Sequence, residues 1–342
     1  MHVGKPSLCC PKLKVNGMEM PAVSEVKYLG DIVSSDGKNS KNVKDRIGKG
    51  FGLVNQILTM TKSLSLGKHT FEIVLVLRDS ILHSALLTNI EIWHNIKKSE
   101  ISEFEKVDRL LFQKVLCVPQ STPEIAFYLE FGLVPISVSI KVRRLIYLQN
   151  ILKSPSNGML YKVFMAQRLS PSKGDWVHFV DEDMKDLDIT LDYETIANKS
   201  KESFKKYLKE KARNYSLKVL VKKKTDYKKL KDIDYFDLKI RNYLMNSDLT
   251  LEEKKLVFKF RTRMLNFGEN FRGGQTSTIC PLCNSHNDSQ FLALSCPKIV
   301  DEIESEDHVI DSEFQKNIQN DTVKKPTIET LKLIMKIREK YY

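Results

Sequence analysis

The stretch Cys280-Pro-Leu-Cys283-Asn-Ser-His286, with Cys296 following ten residues after the histidine, constrains this chain more than any other. Two cysteines separated by two residues turn their thiolates toward one point. A histidine and a third cysteine then complete a tetrahedral Cys3His zinc site from Cys280, Cys283, His286 and Cys296. The competing reading is three reduced thiols in a loop, and the spacing favours the metal. A usual knuckle leaves only about four residues between its histidine and last cysteine, which points to position 291. That position holds Phe291, which cannot bind a metal. Either His286 is the fourth ligand or the site is degraded.

Immediately upstream, Lys254, Lys255, Lys259, Arg261 and Arg263 alternate with Leu256, Phe258, Phe260, Met264 and Leu265. A basic, aromatic helix running into a metal knuckle suits a nucleic-acid clamp. Its bland counterpart is an amphipathic helix with a solvated basic face. Thr250-Leu-Glu-Glu253 predicts a capping box at its start.

The 342 residues carry a net charge of +12, which points to an acidic partner, RNA or DNA before an anionic membrane. The excess is local. Residues 201–231 hold thirteen Lys or Arg against Glu202, Glu210 and Asp226, interleaved with Phe204, Tyr207, Tyr215 and Tyr227. Phe204, Leu208, Tyr215 and Val219 share a helical face, leaving lysines for phosphate contact. The candidate nucleic-acid residues are therefore Lys205, Lys206, Lys209, Arg213, Lys222, Lys223, Lys224, Lys259, Arg261 and Arg263. Phe258, Phe260, Tyr207 and Tyr215 are candidates for base stacking. The cysteine spacing predicts reduced thiols, and the first residues lack signal character. Both place the chain inside the cell, in cytoplasm or nucleus. No apolar run approaches the roughly 20 residues of a membrane span. No small-molecule substrate is evident.

Along the chain, a mainly α protein with a short antiparallel β segment at its start is predicted. Asn16-Gly17 marks a hairpin turn after Lys12–Val15, and Val26–Val33 reads as a further strand ending at Asp36-Gly37. Residues 40–153 have helical periodicity, with faces such as Ile47, Phe51, Val54, Ile57 and Leu58. Thr122-Pro123 opens a short helix that ends near Gly132, and Pro135 precedes another reaching Leu152. Breakers bracket a linker with short helices over 154–200, where Asp181-Glu182-Asp183 reads as a helix start. A basic helical region over 201–268, a knuckle-like module over 269–300 and a tail over 301–342 with a helix from Thr327 to Tyr341 complete the chain.

Taken in order, Val26-Lys-Tyr-Leu-Gly-Asp-Ile, Thr122-Pro-Glu, Leu129-Glu-Phe-Gly-Leu-Val-Pro135-Ile, Phe258-Lys-Phe-Arg-Thr-Arg-Met264 and Cys280-Pro-Leu-Cys283 resemble the carboxyl-terminal part of a non-LTR, LINE-type retrotransposon endonuclease–reverse transcriptase. The resemblance covers nearly the whole chain. It implies the last palm strands over 1–39, a helical thumb and connection over 40–153, and a zinc knuckle near 276–298. Such enzymes are RNA-directed DNA polymerases whose palm carboxylates hold Mg²⁺ through a Tyr-x-Asp-Asp turn. This sequence has no adjacent Asp-Asp pair, Asp31 and Asp36 read as turn residues, and the endonuclease module is missing. The expectation is a truncated reverse transcriptase that binds nucleic acid and does not polymerise. Two alternatives are a subunit completed by a separate palm and a helical host interaction scaffold unrelated to transposition.

Overall fold

The computed structural model describes residues 14–19, 23–28, 30–93, 96–230, 233–270, 279–306 and 313–340. Lys12 and Leu13 of the first expected strand, Cys9, Cys10 and His308 lie outside them. The protein is mainly helical, and among the described residues its strands lie at the amino-terminal end. Two antiparallel hairpins pair β1 (Lys14–Val15) with β2 (Met18–Glu19) and β3 (Glu25–Tyr28) with β4 (Asp31–Ser34). The turn between β1 and β2 is the expected one, with Asn16 at φ 53° and Gly17 at φ 81°. Val26–Val33 is not one strand. Gly30, at φ 90°, reverses the chain so that Tyr28 faces Asp31 across the pair.

The helices that follow are α1 (Ser40–Ser63), α2 (Thr70–Leu77), α3 (Lys98–Leu116), α4 (Glu124–Phe131), α5 (Ile136–Leu152), α6 (Met159–Leu169) and α7 (Trp176–Asp186). Beyond them come α8 (Tyr193–Asn198), α9 (Lys201–Lys224), α10 (Leu251–Arg261), α11 (Pro297–Ser305), α12 (Phe314–Gln319) and α13 (Lys325–Glu339). They fall into two compact units, one of residues 1–56, 78–108 and 136–208, the other of 57–77, 109–135 and 209–342. The consecutive segments expected from the sequence do not coincide with these units, since 40–153 contributes to both.

In the first unit, Arg46 is buried and organises the join between β4 and α1. It donates to Asp31 and to the Leu86 and Thr88 carbonyls, and its guanidinium lies 4.3 Å from the Trp93 ring centre. Asp31 also accepts from Asn89 Nδ2 at 2.8 Å, so it is a structural anion rather than a turn residue. Asp36 does hold a turn, accepting from the Lys38 amide and the Ser34 hydroxyl. Phe51 is exposed, and within this unit the inward face of α1 runs instead through Val43, Arg46 and Val54. The acids at 181–183 do not start a helix: α7 begins at Trp176, and Asp183 is buried between Arg144 at 2.6 Å and Lys141 at 2.9 Å. Burial pushes the Asp183 carboxyl up against the pull of those two cations.

In the second unit, α4 ends at Gly132, whose φ is 62°. A Cβ there would run into the backbone of Lys239 and Ile240, so glycine is required twice over. Thr250 and Glu253 form the expected capping box on α10. Glu253 is fully buried and takes Lys325 and Lys332, both at 2.6 Å. Burial pushes its carboxyl up, but the hydrogen bonds from Lys325, Lys332 and Thr250 outweigh that and bring it from 4.5 to about 2. A depressed carboxylate stabilises the fold above its unfolded value, and that contribution vanishes as pH falls through its folded value. Between pH 4.5 and about 2 the urea midpoint will therefore drop, and Glu253→Gln will flatten that drop. Identical acid limbs in the two proteins would refute this assignment.

Candidate metal centre and basic surface

Residues 279–287 close on themselves through an isolated bridge between Ile279 and Asn287. The Cys280 amide donates to the His286 carbonyl at 2.7 Å, and the Asn284 amide to the Cys280 carbonyl at 2.9 Å. Asn284 sits at φ 53°, a left-handed position that asparagine tolerates, and this bend aims Cys280 and Cys283 at one point. Cys296 arrives from the other side, at the N-cap of α11. The three sulfurs lie within 4.8 Å of one another, and Cys280 and Cys296 are 3.9 Å apart. Tetrahedral thiolates bound at about 2.3 Å are separated by about 3.8 Å, so these three can hold a metal ion. His286 Nδ1 lies 3.8 Å from the Cys283 sulfur, on the rim of the cluster.

The surrounding backbone favours thiolates. The Ser285 amide, and beside it the His286 amide, point at the Cys283 sulfur and bring its thiol down to about 6. Cys296 is buried, which pushes its thiol up to about 11 despite the Ile299 amide facing it.

The cluster is tied firmly into its unit. Asp288, buried two residues past His286, accepts from the Gly268 amide at 2.6 Å and pairs with Arg338 of α13 at 2.7 Å and 2.9 Å. The Arg338 guanidinium lies 4.1 Å from the Phe267 ring centre. Gln290 donates to the Phe260 carbonyl at 2.9 Å, and the rings of Phe260 and Phe291 meet edge to face. Phe291, standing where usual spacing puts a ligand, is thus an apolar anchor.

The helix expected to clamp nucleic acid turns mostly inward. Phe258 and Phe260 are core residues, Phe258 stacking on Phe127 at 5.7 Å, and neither can meet a base. Lys254 is buried and donates to the Lys68 carbonyl. Arg261 is not a phosphate contact. It is buried against Glu130, with Nε at 2.9 Å and 3.0 Å from the two carboxylate oxygens, and its Nη1 caps the Ile318 and Gln319 carbonyls. Glu130 also accepts from Tyr235 and Tyr243. That buried quartet escaped the sequence reading, although a lone acid within the apolar run Ile125–Phe131 was a signal for it. Lys259 and Arg263 stay partly exposed, Arg263 lying 4.7 Å from the Phe291 ring centre.

The basic surface lies on α9. Lys205, Lys206, Lys209, Arg213, Lys222 and Lys223 are exposed, as expected. Lys224 is not: it is buried and donates to the Ile233 carbonyl. The buried stripe of α9 is Phe204, Leu208, Ala212, Ser216, Leu220 and Lys224, repeating every four residues. Tyr215 and Val219 therefore stand half-exposed beside it rather than within it, and Tyr207 packs on Phe204.

No family model, curated protein or solved structure matches this chain. Among the described residues, no single helix is long and apolar enough to cross a membrane.

Proposed function

We propose that this chain binds single-stranded RNA or DNA through the lysines of α9, and that it corresponds to the thumb, connection and knuckle region of a LINE-type reverse transcriptase. The observation that carries the binding is the exposed set Lys205, Lys206, Lys209 and Arg213 on three consecutive turns of one helix. Phosphates neutralised there release counterions, which supplies most of the affinity and makes it insensitive to sequence. The ordered motifs carry the family reading. An open hairpin face with Val26, Tyr28 and Val33 exposed suits the edge of a larger sheet, as the end of a palm would be. Polymerisation is not this chain's own activity, since the sequence lacks the Asp-Asp pair that holds the catalytic cations.

The metal is zinc and its role is structural. Cys280, Cys283 and Cys296 would supply three ligands and His286 the fourth. Zinc holds the two halves of the knuckle together and needs no redox chemistry.

Anisotropy of a labelled 12-nucleotide single strand, titrated across a salt series, tests the binding. Four contacts give a slope of roughly −2.8 in log affinity against log salt. Lys205→Glu, Lys206→Glu and Lys209→Glu together will weaken all sequences alike and flatten that slope by roughly 2. An affinity indifferent to salt, or untouched by the triple reversal, would return α9 to an ordinary solvated helix. It would then favour the interaction-scaffold reading, for which α6 exposes Met159, Leu160, Val163 and Leu169.

A further inference from the structure

A cleft of about 440 Å³ opens in the second unit just past the last lysines of α9. That volume falls within the range of small-molecule sites. Building on the nucleic-acid reading above, we infer that it takes one unstacked base of the bound single strand, stacked on Tyr227.

The walls mix apolar side chains with polar and charged ones and are held in place. One wall is the α3–α4 loop, where Pro119 and Pro123 fix the backbone and the Thr122 hydroxyl locks onto the Pro119 carbonyl at 2.7 Å. Met264 and Leu265, directly after α10, line the floor. The facing wall is the segment after α9. Its amides close a tight turn, Tyr227 to the Lys224 carbonyl at 2.9 Å and Leu230 to the Tyr227 carbonyl at 3.0 Å. Lys224 and Leu230, both buried, pin this turn from below. Tyr227 remains 38% exposed, an aromatic ring on the wall of the cleft.

Asp226 shares the lining with Lys228 and Lys229, so a base can enter beside Tyr227 while its phosphate meets Lys228 on the same wall. Lys222, Lys223 and Lys228 are exposed around the turn and can receive the flanking phosphates. Lys229 is committed to the Asn270 carbonyl and keeps the wall in position. The arrangement has both parts of sequence-tolerant single-strand binding, a cationic track and an aromatic platform.

The test compares the full-length, metal-loaded protein on a 12-nucleotide oligo(dT) and on a strand of the same length whose residues are all abasic. Both carry the same phosphates. Wild type will bind the base-bearing strand about tenfold more tightly, the scale of one stacked base. Tyr227→Ala removes the platform and Ser121→Trp fills the cleft from the opposite wall, so each will erase that ratio. The salt slope in each variant reports whether the lysine track, and hence the fold, survives. Equal affinity of wild type for the two strands, or an unchanged ratio in both variants, would overturn the base site while leaving phosphate binding standing. Absence of salt-dependent binding to either strand would overturn both readings.

Discussion

Arg261→Ala will destabilise the second unit by about 3–5 kcal/mol, because it strands a buried carboxylate without its cation. The side chains of Arg261 and Glu130 are 1% and 0% exposed, so water cannot replace the lost partner. With a urea dependence of about 1–3 kcal/mol per molar, the midpoint will fall by at least about 1 M. Glu130→Gln removes the charge and keeps one oxygen to accept from Tyr235 or Tyr243, its amide nitrogen donating to the other hydroxyl. Combined with Arg261→Ala it will cost less than the two single changes added together, which is how coupled residues behave. Salt-dependent nucleic-acid binding per folded molecule will not change. An unmoved urea midpoint with weakened binding would instead make Arg261 the surface contact that its sequence context suggested.

Removing the metal will have the second large effect. Structural zinc contributes an apparent 10–16 kcal/mol in small peptides, which matches or exceeds the whole stability of a domain. A chelator will therefore release amide protection across residues 279–306 and into α13, because Asp288 and Arg338 link the knuckle to that helix. Protection of the first unit's α5 and α7 will persist. Wild type will carry about one zinc per chain, and Cys283→Ser will lose it. Equal metal content in both proteins would remove the site. His286→Ala will lower zinc affinity at least tenfold, and unchanged affinity would transfer the fourth position elsewhere. The thiolates must shed protons to bind, so affinity will fall as pH is lowered.

Where local chemistry decides a feature, the sequence was legible. Asn16-Gly17, Gly132, the Thr250–Glu253 box and the Cys280–Cys283 turn each depend on a few adjacent residues, and each stands as read. The burial of Lys224, Lys254 and Arg261 was not legible in the same way. A cation's burial depends on a distant acceptor, and for Arg261 that acceptor lies 131 residues earlier in the chain. The motif at Leu129-Glu-Phe-Gly and the one at Phe258-Lys-Phe-Arg are therefore two halves of one core contact. The charge of the second had suggested a surface role. Val26–Val33 was misread because alternation continues through a two-residue reversal, leaving Gly30 as its only mark. The cleft beside Tyr227 has no sequence signature, since its walls come from three separate stretches.

The four-residue repeat along α9 fixes the footprint of any strand lying on it. An α-helix advances about 100° per residue, so a stripe spaced by four creeps about 40° at each step. From Phe204 to Lys224 the buried side turns through about 200°, and the cations are displaced with it. Lys218 and Lys222 consequently emerge about half a turn away from the Lys205–Arg213 group and, measured from Lys209 to Lys222, about 20 Å further along the axis, while exposed Lys223 returns to the face of Lys205. A short oligonucleotide can engage one group only. A longer strand reaches Lys223 by running straight along the axis and reaches Lys218 and Lys222 only by winding around the helix in a right-handed path, so affinity will rise again once the oligonucleotide spans about 20 Å.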